Sequence, residues 1–71
     1  MLERIKSTLS SLTPAEERVG KLLLSDPRQF GTLPVAELAE RAKVSKPTVV
    51  RFCRSVGYKG LSDFKLKLAA S

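Results

Sequence analysis

Apolar residues recur along this chain at three- and four-residue intervals, and no stretch alternates apolar with polar as a half-buried strand requires. Leu2, Ile5, Leu9 and Leu12 predict a first helix over about residues 2–11. In Thr13-Pro14-Ala15-Glu16 a hydroxyl residue stands where it can cap, proline occupies the first helical position, and Glu16 completes a capping box. The second helix then runs over residues 14–25 and buries Ala15, Val19, Leu22 and Leu23. Asp26-Pro27 ends it, because the residue before a proline is pushed out of the helical region. Residues 28–33, interrupted by Gly31, are expected to form a loop with Phe30 turned inward.

A third helix is expected over residues 34–42, with Val35, Leu38, Ala39 and Ala42 on one face. Lys43-Val44 makes a short turn, and Ser45 caps a fourth helix, residues 46–56, that carries Pro47 in its first turn and stops before Gly57. Tyr58-Lys59-Gly60 leads into a last helix over residues 61–70, with Leu61, Phe64 and Leu68 in register and Leu66 off the stripe. Leu38, Ala39, Ala42, Val44, Val49 and Phe52 stand at relative offsets 0, 1, 4, 6, 11 and 14. That pattern packs two helices around a tight turn, as a helix-turn-helix over residues 34–56. Lys43 holds a turn position that is commonly glycine, at a cost of about 1–2 kcal/mol if it is left-handed. The expected fold is all-α, with five helices, homeodomain-like, in one domain over residues 1–71.

Composition narrows the chemistry. With one cysteine and no histidine, the chain has no disulfide framework, no zinc-ligand set and no histidine acid or base, so no enzyme activity and no cofactor are expected in it. No apolar run approaches the ~18 residues of a membrane span and Met1-Leu2-Glu3-Arg4 opens no signal peptide, so a reduced, cytoplasmic protein is expected. Glu16, Glu17, Glu37 and Glu40 are expected on helix exteriors, and Cys53 with the three phenylalanines in the core. Tyr58 fits either the edge of the core or a phosphate contact.

Charge adds a partner. Thirteen Lys and Arg against seven Asp and Glu leave a net charge of +6, and residues 41–62 hold Arg41, Lys43, Lys46, Arg51, Arg54 and Lys59 with no carboxylate. On a wheel of about 100° per residue, Val49, Phe52, Cys53 and Val56 share one stripe of the fourth helix, and Pro47, Val50, Arg51 and Arg54 the opposite one. In a major groove that second stripe meets base edges: Arg51 and Arg54 suit guanine, Val50 a thymine methyl, and Pro47 lies beside them. Lys43, Ser45, Lys46, Thr48 and Lys59 suit backbone phosphates. The alternative is a helical interaction module whose basic face meets an acidic protein.

The run Val44-Ser45-Lys46-Pro47-Thr48-Val49-Val50-Arg51-Phe52-Cys53-Arg54, with Gly57-Tyr58-Lys59-Gly60-Leu61-Ser62-Asp63-Phe64-Lys65 after it, closely resembles the N-terminal domain of RpiR-family bacterial transcription regulators. Thr13-Pro14-Ala15-Glu16-Glu17-Arg18-Val19 and Asp26-Pro27 match that family's opening helices, so the resemblance covers essentially the whole chain. It implies a sequence-specific DNA-binding head, nucleoid-associated when bound, of a regulator of carbohydrate metabolism. Such regulators act as homodimers or higher homo-oligomers on palindromic operators. The resemblance also implies a sugar isomerase (SIS) domain beyond Ser71 that senses a phosphosugar effector. Its hexose-catabolism repressors of the HexR type are the subgroup suggested, and the same head also occurs fused to a glucokinase domain.

Overall fold

The computed structural model describes residues 2–70 and places six helices and one 3-10 turn among them. Met1 and Ser71, the ends of the expected domain, lie outside the described residues. The helices are α1 (Leu2–Thr8), continued by a 3-10 turn (Leu9–Ser11), α2 (Pro14–Ser25), α3 (Pro27–Thr32), α4 (Val35–Ala42), α5 (Lys46–Ser55) and α6 (Leu61–Ala70). The all-α expectation holds, and one element is added to it. Residues 28–33, read as a loop, fall largely within α3. The side chain of Asp26 accepts from the Gln29 N–H at 3.1 Å, and Pro27 takes the first helical position. Asp-Pro therefore closes α2 and opens α3 at once, with the same cap-and-proline start that Thr13-Pro14 gives α2. Gly31 sits inside this short helix without breaking it.

The helices close over one core made of Ile5, Val19, Leu23, Phe30, Leu38, Ala39, Ala42, Val49, Phe52, Cys53, Val56 and Phe64. Each fully buried Leu, Val or Phe adds about 1.5–3 kcal/mol over an exposed one. Phe30 points inward as expected, and its ring meets Phe64 edge-on at 5.5 Å. Phe64 also meets Phe52 at 6.0 Å and Tyr58 at 5.0 Å, so one ring ties α3, α5 and the following loop to α6. It is the only buried residue of α6. That helix is further held by Lys65 Nζ, which donates to the Leu33 carbonyl. Leu66 projects into solvent at 68% exposure.

Two glycines have geometric work. Gly20 is buried on α2, where a Cβ would lie 2.4 Å from Leu9 Cδ2 and 3.2 Å from Phe52 Cε1. Its bare Cα lets the 3-10 turn and α5 approach α2. Gly57 follows α5 with φ +100°, a conformation that an L side chain adopts only with strain, and so it turns the chain toward α6.

Candidate nucleic-acid interface

The turn between α4 and α5 is set by backbone geometry. Lys43 takes φ 59°, ψ 45°, the left-handed conformation, and among the described residues it is the only non-glycine with positive φ. Its N–H donates to the Glu40 carbonyl at 3.2 Å, and the Val44 N–H reaches back to the Ala39 carbonyl at 2.9 Å. These bonds stop α4 within one residue and bring Ser45 into the extended conformation that starts α5.

Ser45 occupies the cap position, yet its side chain does not cap. Its hydroxyl pairs with the Thr48 hydroxyl at 2.8 Å, so no side chain accepts from the first-turn N–H groups of α5. The expected backbone cap gives way to a hydroxyl pair because Thr48, three residues on, lies within reach of Ser45 Oγ. Pro47 has no N–H and the Thr48 N–H donates to the Ser45 carbonyl at 3.1 Å, so the helix start offers the Lys46 N–H and side chain beside two hydroxyls, a combination suited to an anion.

The two stripes of α5 separate as the wheel predicts. Val49, Phe52 and Cys53 are 0% exposed, while Lys46, Pro47, Arg51 and Arg54 are exposed and Val50 is half-buried. Pro47, Val50, Arg51 and Arg54 line one shallow depression of about 340 Å³. Nε of Arg54 donates to the Lys59 carbonyl at 3.3 Å, and the Lys59 N–H donates to Asp63 Oδ2 at 3.1 Å. The last turn of α5 is therefore tied to the loop that follows it, with the terminal nitrogens of Arg54 left for other partners.

Electrostatics concentrate on the same surface. Of the six cations in residues 41–62, only Arg41 has a carboxylate partner among the described residues, Glu37 at 3.5 Å. Lys43, Lys46, Arg51, Arg54 and Lys59 face solvent without one. On the inner stripe, burial pushes the Cys53 thiol up to about 12, against smaller opposing effects of its own backbone hydrogen bond and of Lys65. The thiol is an inert core group. Tyr58 is half-buried and stacks edge-on against Phe64, which places its ring at the edge of the core.

One expectation is overturned. Glu16 does not lie on a helix exterior: it is 5% exposed and is the buried charged residue of the core region. The Thr13 hydroxyl accepts from the Glu16 N–H at 3.3 Å and donates to Glu16 Oε1 at 2.9 Å, in place of the reciprocal bond a capping box would make. Glu16 Oε2 accepts from the Ser55 hydroxyl at the end of α5. No periodicity signals this contact, since it joins side chains 39 positions apart. No pattern along the chain marks Arg18 and Lys21, which line one depression with Arg41 and Lys43.

No helix among the described residues is long and apolar enough to cross a membrane. Over residues 1–71 the chain matches the model of a family described as the helix-turn-helix domain, rpiR family. It is 55% identical over 69 residues to the bifunctional protein glk of Paraburkholderia xenovorans, covering 97% of this chain and 11% of that protein. It is 45% identical over 71 residues to the HTH-type transcriptional regulator HexR of Pseudomonas aeruginosa, covering 100% of this chain and 25% of that protein. Among solved structures it superposes on the NanR protein of Vibrio vulnificus complexed with ManNAc-6P, with a TM-score of 0.92 and 33% identity, over 97% of this chain and 26% of that one. The chain thus spans about a tenth to a quarter of the length of these relatives.

Proposed function

The chain belongs to the rpiR family of helix-turn-helix domains, and from that premise we propose that it is the DNA-reading head of a bacterial regulator of sugar metabolism. The observation that carries the proposal is the outward face of α5. Pro47, Val50, Arg51 and Arg54 line one depression, and no carboxylate lies in residues 41–62 to neutralise it. Set in a major groove, Arg51 and the free end of Arg54 meet guanine edges, Val50 and Pro47 supply apolar contacts, and the first turn of α5 faces a phosphate. Lys43, Ser45, Lys46, Thr48 and Lys59 hold the phosphodiester backbone and set the register, and Arg51 carries sequence. The family favours this over a basic face for an acidic protein.

A single module of this size makes a small interface for tight specific binding, which favours a homodimer or higher homo-oligomer on a palindromic operator. The relatives extend well past the matched region. The ManNAc-6P held by NanR supports a phosphosugar effector sensed by a SIS domain outside residues 1–71. The chain itself acts by binding, without a cofactor or catalysis, in the bacterial cytoplasm. Selection of bound sequences from random duplexes tests the proposal. Two inverted half-sites about one or two helical turns apart are expected, with binding that falls steeply with salt. Recovery of no preferred sequence would refute it.

A further inference from the structure

A second basic surface lies apart from the outward face of α5. Arg18 and Lys21 of α2, together with Arg41 and Lys43 at the end of α4, line a depression of about 510 Å³ whose remaining walls are Leu22 and Ala42. Lys21 pairs with Glu17 at 3.1 Å and Arg41 with Glu37 at 3.5 Å. Four cations and two carboxylates leave the group with a net charge of +2. Helix pairing accounts for Lys21 and Arg41, and the C-terminal dipole of α4 also favours Arg41 and Lys43. Neither accounts for Arg18. It stands exposed in the middle of α2, and no carboxylate pairs with it among the described residues.

Lys43 belongs to this depression and also stands two residues before Ser45 and the start of α5. Lys43 therefore links the depression lined by α2 to the start of α5 along the chain. A duplex seated on α5 presents an unbroken phosphodiester strand on either side of the bases read, so a row of cations leading away from the recognition helix fits that strand. We propose that the Arg18, Lys21, Arg41 and Lys43 depression is a second phosphate anchor, which grips the DNA backbone flanking the sequence read by α5. Arg18 supplies its free charge from the scaffold, while Glu17 and Glu37 hold Lys21 and Arg41 in place. The anchor adds affinity and orientation and carries no sequence preference. It rests on DNA being the partner of α5.

The test compares Arg18→Ala and Arg18→Lys with the unaltered chain on two duplexes, one bearing the selected site with about one helical turn of flank on each side and one trimmed to the site. Helical circular dichroism checks that the exposed substitutions leave the fold intact. On the flanked duplex Arg18→Ala is expected to weaken binding several-fold, equally for selected and scrambled sequences, and to reduce the slope of log K against log salt by about one. Arg18→Lys restores most of the loss, and on the trimmed duplex all three chains bind alike. Wild-type affinity and slope for Arg18→Ala on the flanked duplex, while Lys46→Ala still weakens it, would overturn the anchor alone. A loss as large on the trimmed duplex would also overturn it. If neither Lys46→Ala nor Arg51→Ala alters binding, the failure lies with DNA as the partner of α5.

Discussion

The Ser55 hydroxyl, at the last residue of α5, donates a hydrogen bond to Glu16 Oε2 in the first turn of α2. The other carboxylate oxygen accepts from Thr13 at 2.9 Å, so a buried charge has a partner on each oxygen. A buried carboxylate without such partners is strongly disfavoured. This contact fastens the far end of the recognition helix to the scaffold, while Phe52 and Val49 fasten its middle. The outward face of α5 therefore takes its orientation from both hydrophobic packing and one polar tie.

Removing that tie should cost stability out of proportion to its size. Ser55→Ala leaves one buried carboxylate oxygen without a donor and is expected to lower unfolding free energy by about 1–3 kcal/mol in denaturant titration. Glu16→Ala removes the charge along with both bonds, and the double variant should lose less than the sum of the two single losses by at least about 0.5 kcal/mol. Strict additivity would mean that the two groups act independently.

Lys43 joins a left-handed backbone and the proposed phosphate contact in one residue. Lys43→Gly relieves a left-handed φ of 59°, which costs an L residue about 1–2 kcal/mol, partly offset by the greater freedom of glycine in the unfolded chain. A net gain of roughly 0.5–1 kcal/mol in stability is expected, together with weaker DNA binding and a salt slope lower by about one. Stability and affinity thus move in opposite directions. A fall in both would show that lysine is not strained there.

Arg51 and Lys46 should separate specificity from affinity. Arg51→Ala is expected to cut the preference for the selected site over scrambled DNA by about 1–3 kcal/mol, whereas Lys46→Ala weakens both duplexes alike. Competition titrations with the two duplexes measure the ratio directly. Equal losses on both for Arg51→Ala would remove it from base recognition.

Cys53 gives stability a pH signature at the alkaline end. Its folded pKa is raised from 9.0 to about 12 by burial, so the native state keeps a proton that the unfolded chain releases. The thiol therefore leaves stability unaffected below about pH 9 and lowers it as pH rises from there toward 12. Unfolding curves for the wild type and Cys53→Ala should change in parallel below pH 9. Above it, the wild type should fall more steeply. At pH 8 the native thiol should react with a soluble disulfide reagent only at the rate of unfolding.

Local rules carried much of this molecule. Helical spacing of apolar residues, the Thr-Pro and Ser-Lys-Pro starts and the Gly57 stop located five of the six helices, and the two stripes of α5 separated core from outward face residue by residue. These are features of neighbours in sequence, and a wheel captures them. The helix α3 escaped because Asp26-Pro27 signals both an end and a beginning, and Gly31 argued against continuation. Whether residues 28–33 coil is decided by Phe30, whose burial against Phe64 outweighs the propensity cost of one glycine.

The charge of the chain, its all-α class and the residues on the outward stripe of α5 were settled by the sequence itself, because each depends on composition or on a period of a few residues. Tertiary structure alone decided which distant groups meet. It buried Glu16 between Thr13 and Ser55, turned Arg54 onto the Lys59 carbonyl, and set Arg18 of α2 beside Lys43 of the turn. Such meetings follow from how helices dock, and docking is fixed by the shape of the shared core rather than by any pattern along one segment.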